Sequence, residues 1–83
     1  MQIKGQIIKI LPLETGATWE KQSIVLKEEG EYGKTICVTF FKDKVSLIKG
    51  LFEGETITVS INISSREHNG KYYTEINGWR VEK

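Results

Sequence analysis

Apolar and polar residues alternate along three stretches of this chain, at the period of two that half-buried β-strands require. The stretches cover residues 19–28, 35–41 and 56–64. Their apolar positions are, in order, Ile24 and Leu26; Ile36, Val38 and Phe40; and Ile57, Val59, Ile61 and Ile63. We therefore predict three strands whose apolar sides face a common core.

The first strand is predicted in the isoleucine-rich residues 2–11, which are too densely apolar for a surface helix. Gly5 lies inside this run. Because glycine weakens a strand, we expect a bulge or bend there that lets one long strand turn a barrel corner. Pro12 ends the strand, and residues 12–18 form a connecting loop.

The last two strands are predicted to form a hairpin. Asn69–Gly70 is a strong short-range signal for its turn, so residues 72–81 should run antiparallel to the strand before it. Asn77–Gly78 is a candidate bulge that would bring Ile76 and Trp79 to the same face despite their odd separation. We accordingly assign Trp79 mainly to the core.

The remaining connections complete the order of elements. Residues 29–33 are expected to form a hairpin loop, and residues 43–50 a short helix with Asp43 as its N-cap and Gly50 as its C-terminal stop. This order is typical of the OB fold, an all-β, five-stranded Greek-key barrel with one short helix between strands 3 and 4. The 83 residues suit one such domain, covering residues 1–83.

Composition favours binding over catalysis. Twelve Lys and Arg against eleven Asp and Glu give a net charge of +1, so any affinity for nucleic acid must come from a local patch. The single Cys37 has no cysteine partner for a disulfide or a metal site, and His68 lies in a predicted turn. No phosphate loop or metal-ligand spacing occurs. We expect a protein that is not an enzyme and needs neither cofactor nor metal.

The same composition predicts a cytoplasmic location. A lone cysteine suits a reducing compartment. The first residues lack the apolar core of a signal peptide, and no apolar run approaches the roughly 18 residues that a membrane helix needs. We therefore expect no association with a membrane.

Three segments in the second half carry a family resemblance. They are Phe52-Glu53-Gly54-Glu55-Thr56-Ile57-Thr58-Val59, then Ser65-Arg66, and Asn69-Gly70-Lys71-Tyr72-Tyr73-Thr74-Glu75-Ile76. Over residues 51–77 this pattern resembles the bacterial single-stranded-DNA-binding protein and primosomal PriB group of OB folds. In that group a glycine precedes strand four, an arginine lies near its end, and strand five carries a Tyr-Thr-Glu-apolar run.

With Trp19-Glu20-Lys21-Gln22 near the start of strand two, the full pattern is more similar still to a small bacterial family of unknown function that is expected to adopt this fold. The resemblance to single-stranded-DNA-binding proteins implies that the chain forms a homo-oligomer, a dimer or a tetramer. The sequence ends at Lys83, so we expect it to act without the acidic-tipped tail with which typical members recruit partners.

The binding face of an OB barrel is expected on strands two and three, flanked by the loops between strands one and two and between strands four and five. Aromatic rings there stack on unpaired bases, and lysines track phosphates. The candidate residues on strands two and three are Trp19, Lys21, Lys27, Thr39 and Phe41, with Ser23 beside them. The hairpin tip adds Arg66 and Lys71, with Tyr73 at its base.

These candidates have alternative roles. Trp19 and Phe41 can instead cover the barrel ends or lie in an oligomer interface, because large exposed aromatics also mark protein contacts. The lysines can be ordinary solvated residues, diluted by neighbouring glutamates. Tyr72 and Tyr73 face opposite ways, so we expect one to be available for stacking while the other packs. Glu75 is expected to hold a cross-strand partner.

The predicted function is largely sequence-independent binding of single-stranded DNA. RNA stays open as a ligand, because no motif encodes recognition of the 2′-hydroxyl group. The alternative is a protein-interaction or assembly module in which the same face docks a second copy or a partner chain. The position of Trp19 is the feature that separates these readings.

Overall fold

A computed structural model describes residues 1–29 and 33–83. Within them six strands occur: β1 (Gln2–Ile10), β2 (Glu14–Thr15), β3 (Glu20–Glu28), β4 (Thr35–Phe41), β5 (Thr56–His68) and β6 (Lys71–Glu82). A 3₁₀ helix, Lys42–Ile48, joins β4 to β5. The predicted loop at residues 29–33 falls in part on residues 30–32, which lie outside the described residues.

Five of these strands close into a ring. Around the ring the order is β1, β5, β6, β4, β3 and back to β1, and the short β2 pairs with β3. Neighbours are antiparallel except β4 and β6, which are parallel at Thr39 and Asn77. The predicted all-β barrel is therefore confirmed, with one short helix between its third and fourth long strands.

Strand β1 serves both sides of the barrel. Gly5 and Gln6 pair with β5 and with β3 at once, so Gly5 lies at the predicted corner. A Cβ at Gly5 would come within 2.6 Å of the carbonyl oxygen of Lys27, which explains the need for glycine. The register shift lies farther on, between Ile7 and Lys9, so Ile8 is the bulged residue.

The barrel interior is filled by branched side chains and one phenylalanine. The fully buried residues are Ile7, Ile24, Leu26, Val38, Phe40, Val45, Ile57, Val59 and Ile61. Val45 and Ile48 of the 3₁₀ helix join this cluster. Burying each such side chain contributes about 1.5–3 kcal/mol to stability. The predicted alternation correctly identifies these buried residues in β3, β4 and the first half of β5.

The short helix differs from its prediction at the N-terminus. It is of the 3₁₀ type, and Phe41 precedes it in an extended conformation without a side-chain cap in the described part of the chain. Asp43 is therefore not the N-cap; its carbonyl oxygen accepts a hydrogen bond from Ser46 Oγ at 2.7 Å. Gly50 follows the helix with a φ of 85°, which confirms it as the C-terminal stop.

Trp79 is not a core residue, contrary to prediction, since 44% of it is exposed. Strand β6 has its bulge at Trp79, one residue beyond the predicted Asn77–Gly78, because Arg80 pairs with Ser60 and Gly78 pairs with Ile61. This shift turns Gly78 toward the core, where a Cβ would overlap the ring of Phe40.

The hairpin of β5 and β6 extends beyond the barrel as a two-stranded arm, residues 62–77. Its turn residues, Asn69 and Gly70, have φ angles of 52° and 79°, as a type I′ turn requires. Ile63 lies on this arm and is 52% exposed, so its predicted place in the core is wrong. Strand β5 extends past the barrel, so the alternating apolar position at Ile63 has no core to enter.

Candidate functional site

The outer face of β3 and β4 brings together most of the predicted binding residues. The strand register pairs Lys21 with Phe41, Ser23 with Thr39, Val25 with Cys37, and Lys27 with Thr35. We call these eight residues the outer face. The hydroxyl groups of Ser23 and Thr39 are 2.9 Å apart and hydrogen-bonded, which ties the two strands together at its centre.

Trp19 lies next to this face and is 45% exposed. Its ring packs against Gly16, and the Gly16 amide donates a hydrogen bond to the Trp19 carbonyl oxygen at 2.8 Å. Lys21 Nζ lies 5.9 Å from the centre of the ring, within the range of a cation–π contact. Trp19 is thus held by its neighbours and still presents much of its surface to solvent.

Glutamates moderate the positive charge of the site. Lys21 Nζ lies 3.9 Å from Glu14 Oε2, and both side chains are well exposed, so this ion pair is weak. On the arm, Arg66 Nη2 donates to Glu75 Oε1 at 2.6 Å. The prediction that Glu75 has a cross-strand partner is confirmed, and that partner is one of the predicted binding residues.

The arm continues the outer face on one of its two sides. Because Asn77 pairs with Thr39, which faces outward, the residues of the arm that share Asn77's side extend the same surface. We call this the outer side of the arm: Asn62, Ser64, Arg66, His68, Lys71, Tyr73, Glu75 and Asn77. The predicted residues Arg66, Lys71 and Tyr73 therefore lie on the surface that also carries Lys21, Lys27, Thr39 and Phe41.

The opposite side of the arm, its inner side, continues the face that lines the barrel core. It carries Ile63, Ser65, Glu67, Tyr72, Thr74 and Ile76. Tyr72 and Tyr73 do face opposite ways, as predicted. However, they are 72% and 52% exposed, so the expectation that one of them packs is wrong. The arm projects past the barrel, and nothing in the described chain covers Tyr72.

Lys9 of β1 adjoins the outer face, although the sequence pattern did not single it out. After the bulge at Ile8, Lys9 pairs with Val25 and Ile10 pairs with Ile24. Since Ile24 is buried and Val25 faces outward, Lys9 also faces outward, beside the centre of the face. The bulge re-aims this side chain, and no glycine or proline marks its position in the sequence.

A groove lies between β4 and β6, beside the point at which the outer face meets the outer side of the arm. In the described residues β4 and β6 meet at one pair, Thr39 and Asn77, so the two strands diverge on either side of it. The groove is lined from β4 by Cys37, Thr39 and Phe41, with Lys21 beyond them, and from β6 by Thr74, Glu75, Ile76 and Asn77. A second hollow on the arm, lined by Arg66, His68 and Tyr73, also reaches Glu75.

Neither a metal cluster nor a membrane-spanning helix is found within residues 1–29 and 33–83. No group of three or more His, Cys, Asp or Glu side chains is arranged to hold a metal ion. No helix there is long and apolar enough to cross a membrane.

The barrel, its outer face and the projecting arm define a small all-β domain with an exposed surface of aromatic and lysine side chains. The chain belongs to the family described as a domain of unknown function (DUF3127), whose model matches residues 2–82. The expected membership of a family of unknown function is thereby confirmed. No curated protein sequence matches the chain.

Proposed function

We propose that this protein binds single-stranded nucleic acid, with single-stranded DNA as the principal ligand, along the outer face and the outer side of the arm. The supporting observation is that aromatic and cationic side chains adjoin at both ends of one continuous surface. Lys21 lies beside Phe41 and Trp19 at one end, and Arg66 lies beside Tyr73 at the other.

Such a surface offers the two interactions that a single strand needs. Base stacking on an aromatic ring is worth about 1–3 kcal/mol per base and tolerates any sequence. Lys21 and Lys27 are six positions apart on β3, which corresponds to about 20 Å along a strand. Lys9 lies between them on the neighbouring strand. These three ammonium groups could follow several phosphates while bases meet the rings.

The charge balance sets the expected strength of binding. Glu14 and Glu75 offset part of the positive charge of Lys21 and Arg66. The phosphate contribution therefore comes from few cations, and affinity should fall moderately with salt, in proportion to the number of phosphates neutralised.

The test is a fluorescence-anisotropy titration with a labelled, unstructured oligonucleotide of mixed sequence, at low and at high salt. DNA and RNA versions of the same sequence decide which sugar is preferred. Cys37 provides an independent readout, because it is exposed on the outer face and is the chain's single cysteine. Bound ligand should slow its alkylation. Absence of binding at low salt, or alkylation of Cys37 at an unchanged rate in the bound state, would refute the proposal.

A second candidate function, as an assembly module, has its own supporting observation. Ile63 and Tyr72 are exposed on the inner side of the arm, which continues the face that lines the core. Exposed apolar groups on a projecting strand pair are typical of surfaces that dock another chain. Sedimentation equilibrium tests this function. A homodimer or homotetramer that a Tyr72→Ser substitution dissociates would support it, and a monomer at all concentrations would exclude self-association.

A further inference from the structure

The groove between β4 and β6 has an unusual lining for a surface that meets a polyanion. Its β6 wall carries the Glu75 carboxylate and the side chain of Asn77, whose amide oxygen lies beneath the surface. Asn77 Oδ1 is buried and has no hydrogen-bond donor among the described residues. A buried acceptor without a donor costs free energy, and Asn77 recovers it by turning this oxygen toward a ligand that brings a donor.

The opposite wall is mostly apolar near its centre. Phe41 contributes a ring and Cys37 a weakly polar thiol, and the hydroxyl of Thr39 is already bonded to Ser23. Its polar groups are the hydroxyl of Thr35 and the ammonium group of Lys21. A flat, largely apolar ring whose edge carries N–H donors would match both walls. A phosphate is repelled by the Glu75 carboxylate and attracted to Lys21, so it fits the Lys21 side of the groove and not the β6 wall.

Arg66 fixes the orientation of this carboxylate. Its guanidinium donates to Glu75 Oε1 at 2.6 Å from across the hairpin. A carboxylate accepts hydrogen bonds at both of its oxygens, so Oε2 keeps its capacity for a ligand. The Glu75 side chain is 33% exposed, so a ligand in the groove can reach its carboxylate.

We infer that this groove takes one base of the bound strand and selects bases with an exocyclic amino group, with Glu75 as the acceptor. The inference rests on the proposed function. Cytosine, adenine and guanine each offer an amino group, and a carboxylate accepting from the cytosine amino group is an established pairing. Thymine and uracil have a single N–H donor on their pairing edge, the ring N3–H, and it is flanked by two carbonyl oxygens that the carboxylate repels. The surface is thus sequence-tolerant except at this position.

The test compares oligo-dC with oligo-dT of equal length, competing for the protein against one labelled reference strand at mildly alkaline pH, where cytosine is unprotonated. These two pyrimidines have similar size and backbone, so the comparison isolates the base edge. We expect oligo-dC to bind about tenfold more tightly, the low end of the discrimination that a good side-chain-to-base pairing provides.

The Glu75→Gln variant tests whether Glu75 causes the preference for oligo-dC over oligo-dT. Glutamine both donates and accepts, so the ratio of the two dissociation constants should approach one. The matched control is Glu82→Gln, because Glu82 also lies on β6 and pairs with an arginine, Arg80, at 2.8 Å, outside the groove. It should leave the ratio unchanged. Circular dichroism confirms that both variants are folded.

The outcomes separate the inference from the function it rests on. Equal affinity of the parent protein for oligo-dC and oligo-dT would overturn base selection and leave single-strand binding standing. A preference for oligo-dC that persists in Glu75→Gln would overturn the role of Glu75. If neither oligonucleotide binds at low salt, the proposed function fails, and base selection fails with it.

Discussion

The ring of Trp19 packs against Gly16 so closely that a side chain at position 16 would overlap the indole. The short strand β2 brings the two residues together, since Thr15 pairs with Glu20 immediately beside them. The orientation of the ring is therefore set before any ligand arrives, which lowers the entropy lost when a base stacks on it.

Gly16→Ala should displace the Trp19 ring while the fold is kept, because both residues are exposed and the indole can swing aside. We expect this variant to lose much of the affinity that Trp19→Leu loses, which is about 1–3 kcal/mol for one stacked base. Near-ultraviolet circular dichroism reports the ring, and anisotropy reports binding. If Trp19→Leu binds with full affinity, Trp19 does not contact the ligand. If only Gly16→Ala binds with full affinity, the fixed orientation of the Trp19 ring does not contribute to binding.

Tyr72 and Tyr73 provide a matched pair of adjacent aromatics on opposite sides of the arm. Tyr73→Leu should weaken single-strand binding by about 1–3 kcal/mol, whereas Tyr72→Leu should leave it within experimental error. Titration of both variants with the same oligonucleotide checks this. The reverse result would place the ligand on the inner side of the arm. A changed sedimentation coefficient in Tyr72→Leu would favour the assembly function.

Lys9→Gln should reduce the salt dependence of binding. Removing one phosphate contact lowers the slope of log affinity against log salt by about 0.7 for a single strand. Lys4→Gln is the control, because Lys4 lies on the same strand but pairs with Thr58 of β5, away from the outer face. Slopes measured over a series of salt concentrations distinguish the two. Equal slopes in Lys9→Gln and Lys4→Gln would exclude Lys9 from the binding surface.

Gly78→Ala should destabilise the barrel by about 1–3 kcal/mol, the usual cost of overpacking a core. Its new Cβ would overlap the fully buried ring of Phe40, which has little room to move. Chemical denaturation gives the free energy of unfolding. Gly16→Ala is the comparison, since it makes the same substitution against a ring that can move, and we expect it to cost less. Equal costs would mean that β6 shifts to accommodate the methyl group.

Local patterns in the sequence predicted the barrel well where a strand has one buried side. The alternation in β3 and β4 places Lys21, Thr39 and Phe41 outward as the register shows, and Asn69–Gly70 marks the turn of the arm. These features depend on side-chain period and turn chemistry, which are local properties of the chain.

The sequence-based predictions fail where the pairing of strands distant in the chain decides whether a side chain is buried or exposed. Trp79 is exposed because the bulge in β6 lies at that residue, and Lys9 faces outward because β1 bulges at Ile8. The shift of each register depends on the partner strand, which the local sequence does not reveal. Ile63 is exposed because β5 outruns the barrel, and a two-residue strand such as β2 is too short to show a period.

Because β1 pairs with both β3 and β5, its pairing is completed only late in synthesis. Gln2 pairs with Ser60 and Gln6 with Thr56, so the first strand finds its second neighbour only after most of the chain exists. At a synthesis rate of about 5–20 residues per second, this delay lasts roughly three to ten seconds. Distant pairings of this kind also slow folding to between milliseconds and seconds. Throughout that interval an isoleucine-rich segment is open to chaperones and to other nascent chains.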